Sequence, residues 1–114
     1  MARSGIPGAL ERRHLVEKDL APAHAQRIAD AYLAEDRRLE AVDFLGKVDP
    51  ADGLQELRAQ AVEEGDVFLL RGVAQAMGER PSREEWQALA ESASTLGKLR
   101  YAEEARRQAE RGEG

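Results

Sequence analysis

The stretch that decides the fold is Glu84–Glu110, EEWQALAESASTLGKLRYAEEARRQAE. Trp86, Leu89, Ala90 and Ala93 recur at helical spacing, Gly97 interrupts them, and a second run rich in alanine and arginine follows. Glycine lacks a Cβ and accepts the left-handed backbone that ends a helix, so this pattern predicts two helices joined by a tight turn. The start of the first is marked as well. In Ser82-Arg83-Glu84-Glu85 the Ser82 hydroxyl and the Glu85 carboxylate can each satisfy a backbone N–H that a helix start leaves orphaned. The second helix is expected from Lys98 to about Arg111.

Upstream, DVFLLRGVAQAMG (Asp66–Gly78) is the most apolar segment. Val67, Phe68, Leu69, Leu70 and Val73 spread widely round a helix there, which asks for burial on most sides. Leu54, Leu57, Ala61 and Val62 carry the preceding helix to Glu64, with Gly65 as the turn. Asp49 is expected to cap that helix with Pro50 at its first position, where proline costs least. Further back, Ala25, Ile28, Ala29, Tyr32 and Leu33 define a helix from about Pro22 to Glu35. After EDRR the stripe restarts as Leu39, Val42, Phe44, Leu45 and Val48. A weaker helical pattern covers Ala9 to about Lys18, with Leu10, His14, Leu15 and Val16 on its stripe, and Asp19–Pro22 breaks it. Met1 to Gly8 is expected to be a flexible tail. No strand pattern appears, so the expected fold is all-α. It has six clear helices and a weaker seventh, in one domain over residues 9–114.

Composition supports this. Aromatics are 4% of the 114 residues and charged side chains 34%, so the core must close through alanine, leucine and valine rather than rings. The net charge of −5 argues against nucleic acid or an anionic membrane surface as the main partner. Without cysteine, a disulfide framework, a thiolate zinc site and a thiol nucleophile are excluded. No apolar run approaches the roughly 20 residues of a membrane span. The first residues lack the apolar core of a secretory signal, and a cytoplasmic protein is expected.

With Asp36, Gly65 and Gly97 placed in register, the flanking positions align as three hairpins, at about residues 22–48, 50–78 and 82–111. Trp86, Leu89, Ala90, Gly97, Ala102 and Ala109 occupy positions where the tetratricopeptide repeat wants a large aromatic, a leucine, small residues and a turn glycine. The third hairpin thus resembles a tetratricopeptide unit. The first resembles it through Ile28, Ala29, Tyr32, Ala41 and Leu45, and the second through Leu54, Leu57, Ala61, Gly65, Ala74 and Met77. Arg58 and Leu70 depart from it, standing where small residues are expected. The spacing is also shorter than the family's repeat of about 34 residues. The resemblance implies three stacked antiparallel helical hairpins, a tetratricopeptide-like superhelix. Ala29, Ala41, Ala90 and Ala102 would let paired helices approach closely, and RRQAERGEG (Arg106–Gly114) would give the end unit a polar face.

Chemistry-bearing motifs are sparse. Glu11-x-x-His14 puts a carboxylate and an imidazole on one helix face, as in carboxylate-bridged di-iron bundles, but His24 has no matching glutamate and the motif has no second copy. A solvated face is the expectation there. Trp86 is expected to pack between helices. Glu103–Arg107 and Arg106–Glu110 are expected as exposed i, i+4 pairs. No catalytic, metal or cofactor-binding residue is expected, and the chain reads as non-enzymatic.

The resemblance instead implies a groove lined by the exposed face of each hairpin's first helix. Carried over by position, it would present Gln26, Asp30 and Leu33, then Asp52, Gln55, Ala59 and Glu63, then Glu84, Gln87, Glu91 and Thr95. Gln26, Gln55 and Gln87 are equivalent, and a column of amides can hydrogen-bond an extended peptide backbone. The flanking carboxylates make the face acidic, so the expected partner is a protein or peptide segment that is polar or basic. The lysines and asparagines with which some family members grip a terminal carboxylate do not occur at these positions. The alternative is a small structural protein that self-associates, as a homodimer, through the apolar helix at Asp66–Gly78.

Overall fold

The computed structural model describes residues 6–49 and 51–111. Seven α-helices occur among them: α1 (Ala9–Glu17), α2 (Pro22–Ala34), α3 (Arg38–Leu45), α4 (Asp52–Glu64), α5 (Val67–Met77), α6 (Arg83–Thr95) and α7 (Leu99–Arg111). The chain is all-α, with no strand among the described residues. Most of the expected N-terminal tail, and Pro50 with its expected role at the start of α4, lie outside them. The chain divides into two compact units, Met1–Leu54 and Gln55–Gly114.

In the first unit, α2 and α3 pack as a hairpin, burying Ala25, Ile28, Ala29 and Tyr32 against Ala41, Val42, Phe44 and Leu45. The Tyr32 and Phe44 rings stack with centroids 5.8 Å apart. The weak α1 joins this hairpin through Leu15 and a residue that its apolar stripe did not signal. The Arg12 guanidinium lies over both rings, 5.6 Å from Tyr32 and 5.7 Å from Phe44, and donates to Asp43 Oδ2 at 2.6 Å and the Glu40 carbonyl. A cation on aromatic faces thus supplements a helix with little apolar surface. Leu10 and Leu39, expected on buried stripes, are 82% and 53% exposed.

In the second unit, α6 and α7 pack as a hairpin. Trp86, Leu89, Ala90 and Ala93 of α6 meet Ala102, Ala105 and Ala109 of α7, all buried. Methyl-sized side chains at this seam let the backbones come close, which recovers packing that large residues would otherwise supply. The capping box at Ser82 forms: Glu85 N–H donates to Ser82 Oγ at 3.0 Å and Ser82 N–H to Glu85 Oε1 at 3.1 Å. On α5, Val67, Leu69, Leu70, Val73 and Ala74 are buried, whereas Phe68 is 55% exposed and meets Tyr101 edge to face. The helix is therefore not covered all round.

The contacts between hairpins fall in a regular order within this unit. Arg58 of α4 pairs with Glu85 of α6, and seven residues on, Gly65 lies against Ala93. Phe68 of α5 meets Tyr101 of α7, and one turn on, Arg71 pairs with Glu104. Both sets advance in the same sense along both helices, so α4 and α6 run side by side in one direction, and so do α5 and α7.

Candidate functional site

The residues expected to line a groove are placed mostly on solvent-exposed helix faces. In the first unit, Asp30 is exposed and Gln26 half-buried on α2. The Gln26 amide donates to Asp30 Oδ1 at 2.8 Å, a bond within the helix that a ligand would have to share or displace. Leu33 is half-buried. Asp52, in the first turn of α4, is exposed, as are Gln55, Ala59 and Glu63 further along that helix. On α6, Glu84, Gln87, Glu91 and Thr95 are exposed. The opposite faces of these two helices bury Leu54, Leu57 and Ala61, and Trp86, Leu89, Ala90 and Ala93. The partition of each helix into a buried apolar side and a wet amide-and-carboxylate side is clean.

Of these residues, Gln87 and Glu91 are brought together with Ala90 and Arg106 around a shallow cleft of about 330 Å³. Arg106 comes from α7, so one cation lines the same cleft as the carboxylate of Glu91. That electrostatic detail follows from the α6–α7 packing and had no sequence signal. The expected Arg106–Glu110 pair is not formed. Arg107 pairs with Glu104 at 2.8 Å rather than with Glu103. Glu104 is held by three partners, since Arg71 reaches it from α5 at 2.6 Å and Gln108 donates to it at 2.8 Å. The hydrogen bonds from Arg107 and Gln108, with the charges of Arg107 and Arg71, hold its carboxyl down to about 2.

Arg58 is the residue whose role the sequence concealed. Its side chain is 12% exposed. Nε and Nη2 donate to the two oxygens of Glu85 at 2.7 and 2.8 Å, while Nη1 reaches the Glu79 carbonyl and Nη2 the Arg80 carbonyl. Its hydrogen bond to Glu85, reinforced by the Ser82 N–H, lowers the Glu85 pKa. The departure from the small residue expected at this position thus has a physical reason, because the guanidinium ties α4 to the α5–α6 loop and to the cap of α6.

Glu11 and His14 are both exposed on α1, and among the described residues no group of three or more histidines, aspartates or glutamates is placed to hold a metal ion. No described helix is long and apolar enough to cross a membrane. No family model, curated protein or solved structure matches the chain.

Proposed function

We propose that this chain is a non-enzymatic protein–protein interaction module of tetratricopeptide-like hairpins, working in the cytoplasm, that binds a polar or basic peptide segment along the wet sides of its first helices. The observation that carries the reading is the side-by-side run of α4 and α6 in one direction, with Gln55, Glu63, Glu84, Gln87 and Glu91 all left in solvent. Amides offer a donor and an acceptor to any extended backbone, and carboxylates steer cationic segments toward them. Gln26 and Asp30 give α2 the same kind of polar strip.

A variant with Gln55→Ala, Gln87→Ala and Glu91→Ala changes exposed side chains only, so helicity and melting temperature are expected to stay as in the wild type. Captured proteins from native cell lysate should be lost from the variant, more completely as salt is raised. Identical capture profiles for the two proteins would end this reading.

A self-associating structural protein is the second reading, favoured by Phe68 at 55% exposure and Leu99 at 67% on neighbouring helices. Sedimentation at micromolar concentration separates the two. A tight dimer supports self-association and a clean monomer the peptide-binding module.

A further inference from the structure

The α5–α6 loop shapes a cleft of opposite character from the acidic faces. Arg80 and Arg83 on the loop and the start of α6, and Arg111 at the end of α7, line a space of about 800 Å³ whose wall includes Trp86, Gln75 and Gln108. That volume lies in the range of small-molecule sites. The three arginines are exposed, and none of their guanidinium groups has an ion-pair partner among the described residues. Of the other charges at the cleft, Arg71 pairs with Glu104 at 2.6 Å, and Glu79 lies 3.7 Å from an Arg58 that is already bidentate to Glu85, so one carboxylate stays on the rim. In a chain of net charge −5, three arginines with no ion-pair partner among the described residues outnumber that one carboxylate around the concavity and favour an anion between them.

The rim is also preformed. Arg58 holds the carbonyls of Glu79 and Arg80 while gripping Glu85, so the segment carrying Arg80 and Arg83 is tied at both ends. A ligand need not supply the ordering entropy of that loop. The buried Trp86 ring, 5% exposed, adds an apolar wall, and the glutamines Gln75 and Gln108 add neutral donors.

We propose that this cleft binds a small multivalent anion, a polyphosphate or polycarboxylate, through the guanidinium groups of Arg80, Arg83 and Arg111. Guanidinium forks match both oxygen geometries, which is why one chemistry covers the two sources. The site shares no residue with the acidic faces of α4 and α6, so either assignment can fail without the other.

Trp86 is the chain's one tryptophan, and its fluorescence reports directly on the cleft. Inorganic pyrophosphate and citrate are titrated separately at low ionic strength. A saturable change is expected with a midpoint below about 1 mM. It should weaken tenfold or more in the Arg80→Gln, Arg83→Gln, Arg111→Gln variant. A variant with Arg100→Gln and Arg106→Gln, outside the cleft, should titrate as the wild type does. Saturation by pyrophosphate alone assigns a phosphate ligand, and by citrate alone a carboxylate. If the triple variant melts below the wild type, Arg83→Gln alone is compared, with threefold or greater weakening expected. No saturable change with either anion up to about 10 mM, or weakening smaller than these factors, overturns the proposal.

Discussion

At the residue scale, Arg58 shows how one charged side chain can replace a small one in a helix seam. Its stem is covered, and four of its N–H donors go to a carboxylate and two carbonyls with a fifth on Met77 Sδ, so the desolvation of the guanidinium is largely offset by directed hydrogen bonds. Arg58→Ala leaves Glu85 partly covered without its partner and frees the loop carbonyls. A loss of about 2–3 kcal/mol in denaturant unfolding is expected, with Arg58→Met losing about 1 kcal/mol less because the stem still packs. Equal losses for the two substitutions would show that the charge pair, and not packing of the stem, dominates. Arg12 follows the same logic in the first unit. Burial works against its charge, but the hydrogen bond and charge of Asp43 outweigh it and its pKa is raised. Neither arginine was readable as a structural residue, because charged side chains on helices are ordinarily solvated.

At the element scale, the three turns placed in register are built alike. Asp36, Gly65 and Gly97 adopt left-handed backbone, with φ of 59°, 67° and 79°. Each donates its N–H to the carbonyl three residues back, and the next N–H reaches the carbonyl five residues before it: Arg37 to Tyr32 at 2.9 Å, Asp66 to Ala61 at 2.9 Å and Lys98 to Ala93 at 2.7 Å. This is the Schellman closure, which satisfies carbonyls that a helix end leaves free. The turns differ in what surrounds them. A Cβ on Gly65 would lie 2.6 Å from Ala93 Cα, whereas one on Gly97 meets nothing within 4 Å. Gly97→Ala is therefore expected to cost about 1 kcal/mol, from backbone strain alone. Gly65→Ala should cost about 3 kcal/mol, as the α4–α5 turn is pushed off α6. Asp36→Gly should stay within about 0.5 kcal/mol of the wild type, since relief of strain is offset by a freer unfolded chain. Thermal or urea unfolding checks the order, and equal effects at Gly65 and Gly97 would contradict the close approach.

At the scale of the whole molecule, the described carboxylates with resolved shifts are held below their ordinary value of 4.5. Glu40 is lowered in the first unit by its bond to Arg37, and Glu85 and Glu104 in the second by Arg58 and by Arg107. A carboxyl with a depressed folded-state pKa stabilises the fold above its unfolded value and loses that contribution as pH falls. For Glu104 the window runs from about 4.5 down to about 2. Its side chain is 28% exposed, and with solvent screening its share is about 1 kcal/mol. Melting temperature should be flat from pH 7 to about 5 and fall below that, less steeply in Glu104→Gln, which has no charge to lose. A wild-type curve parallel to that of the variant between pH 5 and 2 would remove Glu104 from this account.

The sequence by itself determined the helices and most of their ends, except that α3 stops at Leu45 short of Val48 and α4 starts at Asp52 rather than directly after Asp49. Apolar spacing, alanine-rich faces, the Ser82 cap and the Asp36, Gly65 and Gly97 turns are local properties, set by backbone sterics and by hydrogen bonds within a few residues. It also separated the wet sides of α4 and α6 from their buried sides, because a period of 3.6 residues sorts polar from apolar positions without reference to any neighbour. Only the tertiary structure decided which charges pair and which stay free. Arg58 and Glu85 are far apart in the chain, as are Arg71 and Glu104, while Arg80, Arg83 and Arg111 come to one cleft with no ion-pair partner among the described residues. Such pairings depend on how hairpins close against one another, and an exposed arginine reads the same in sequence whether it is bound, buried or waiting for an anion.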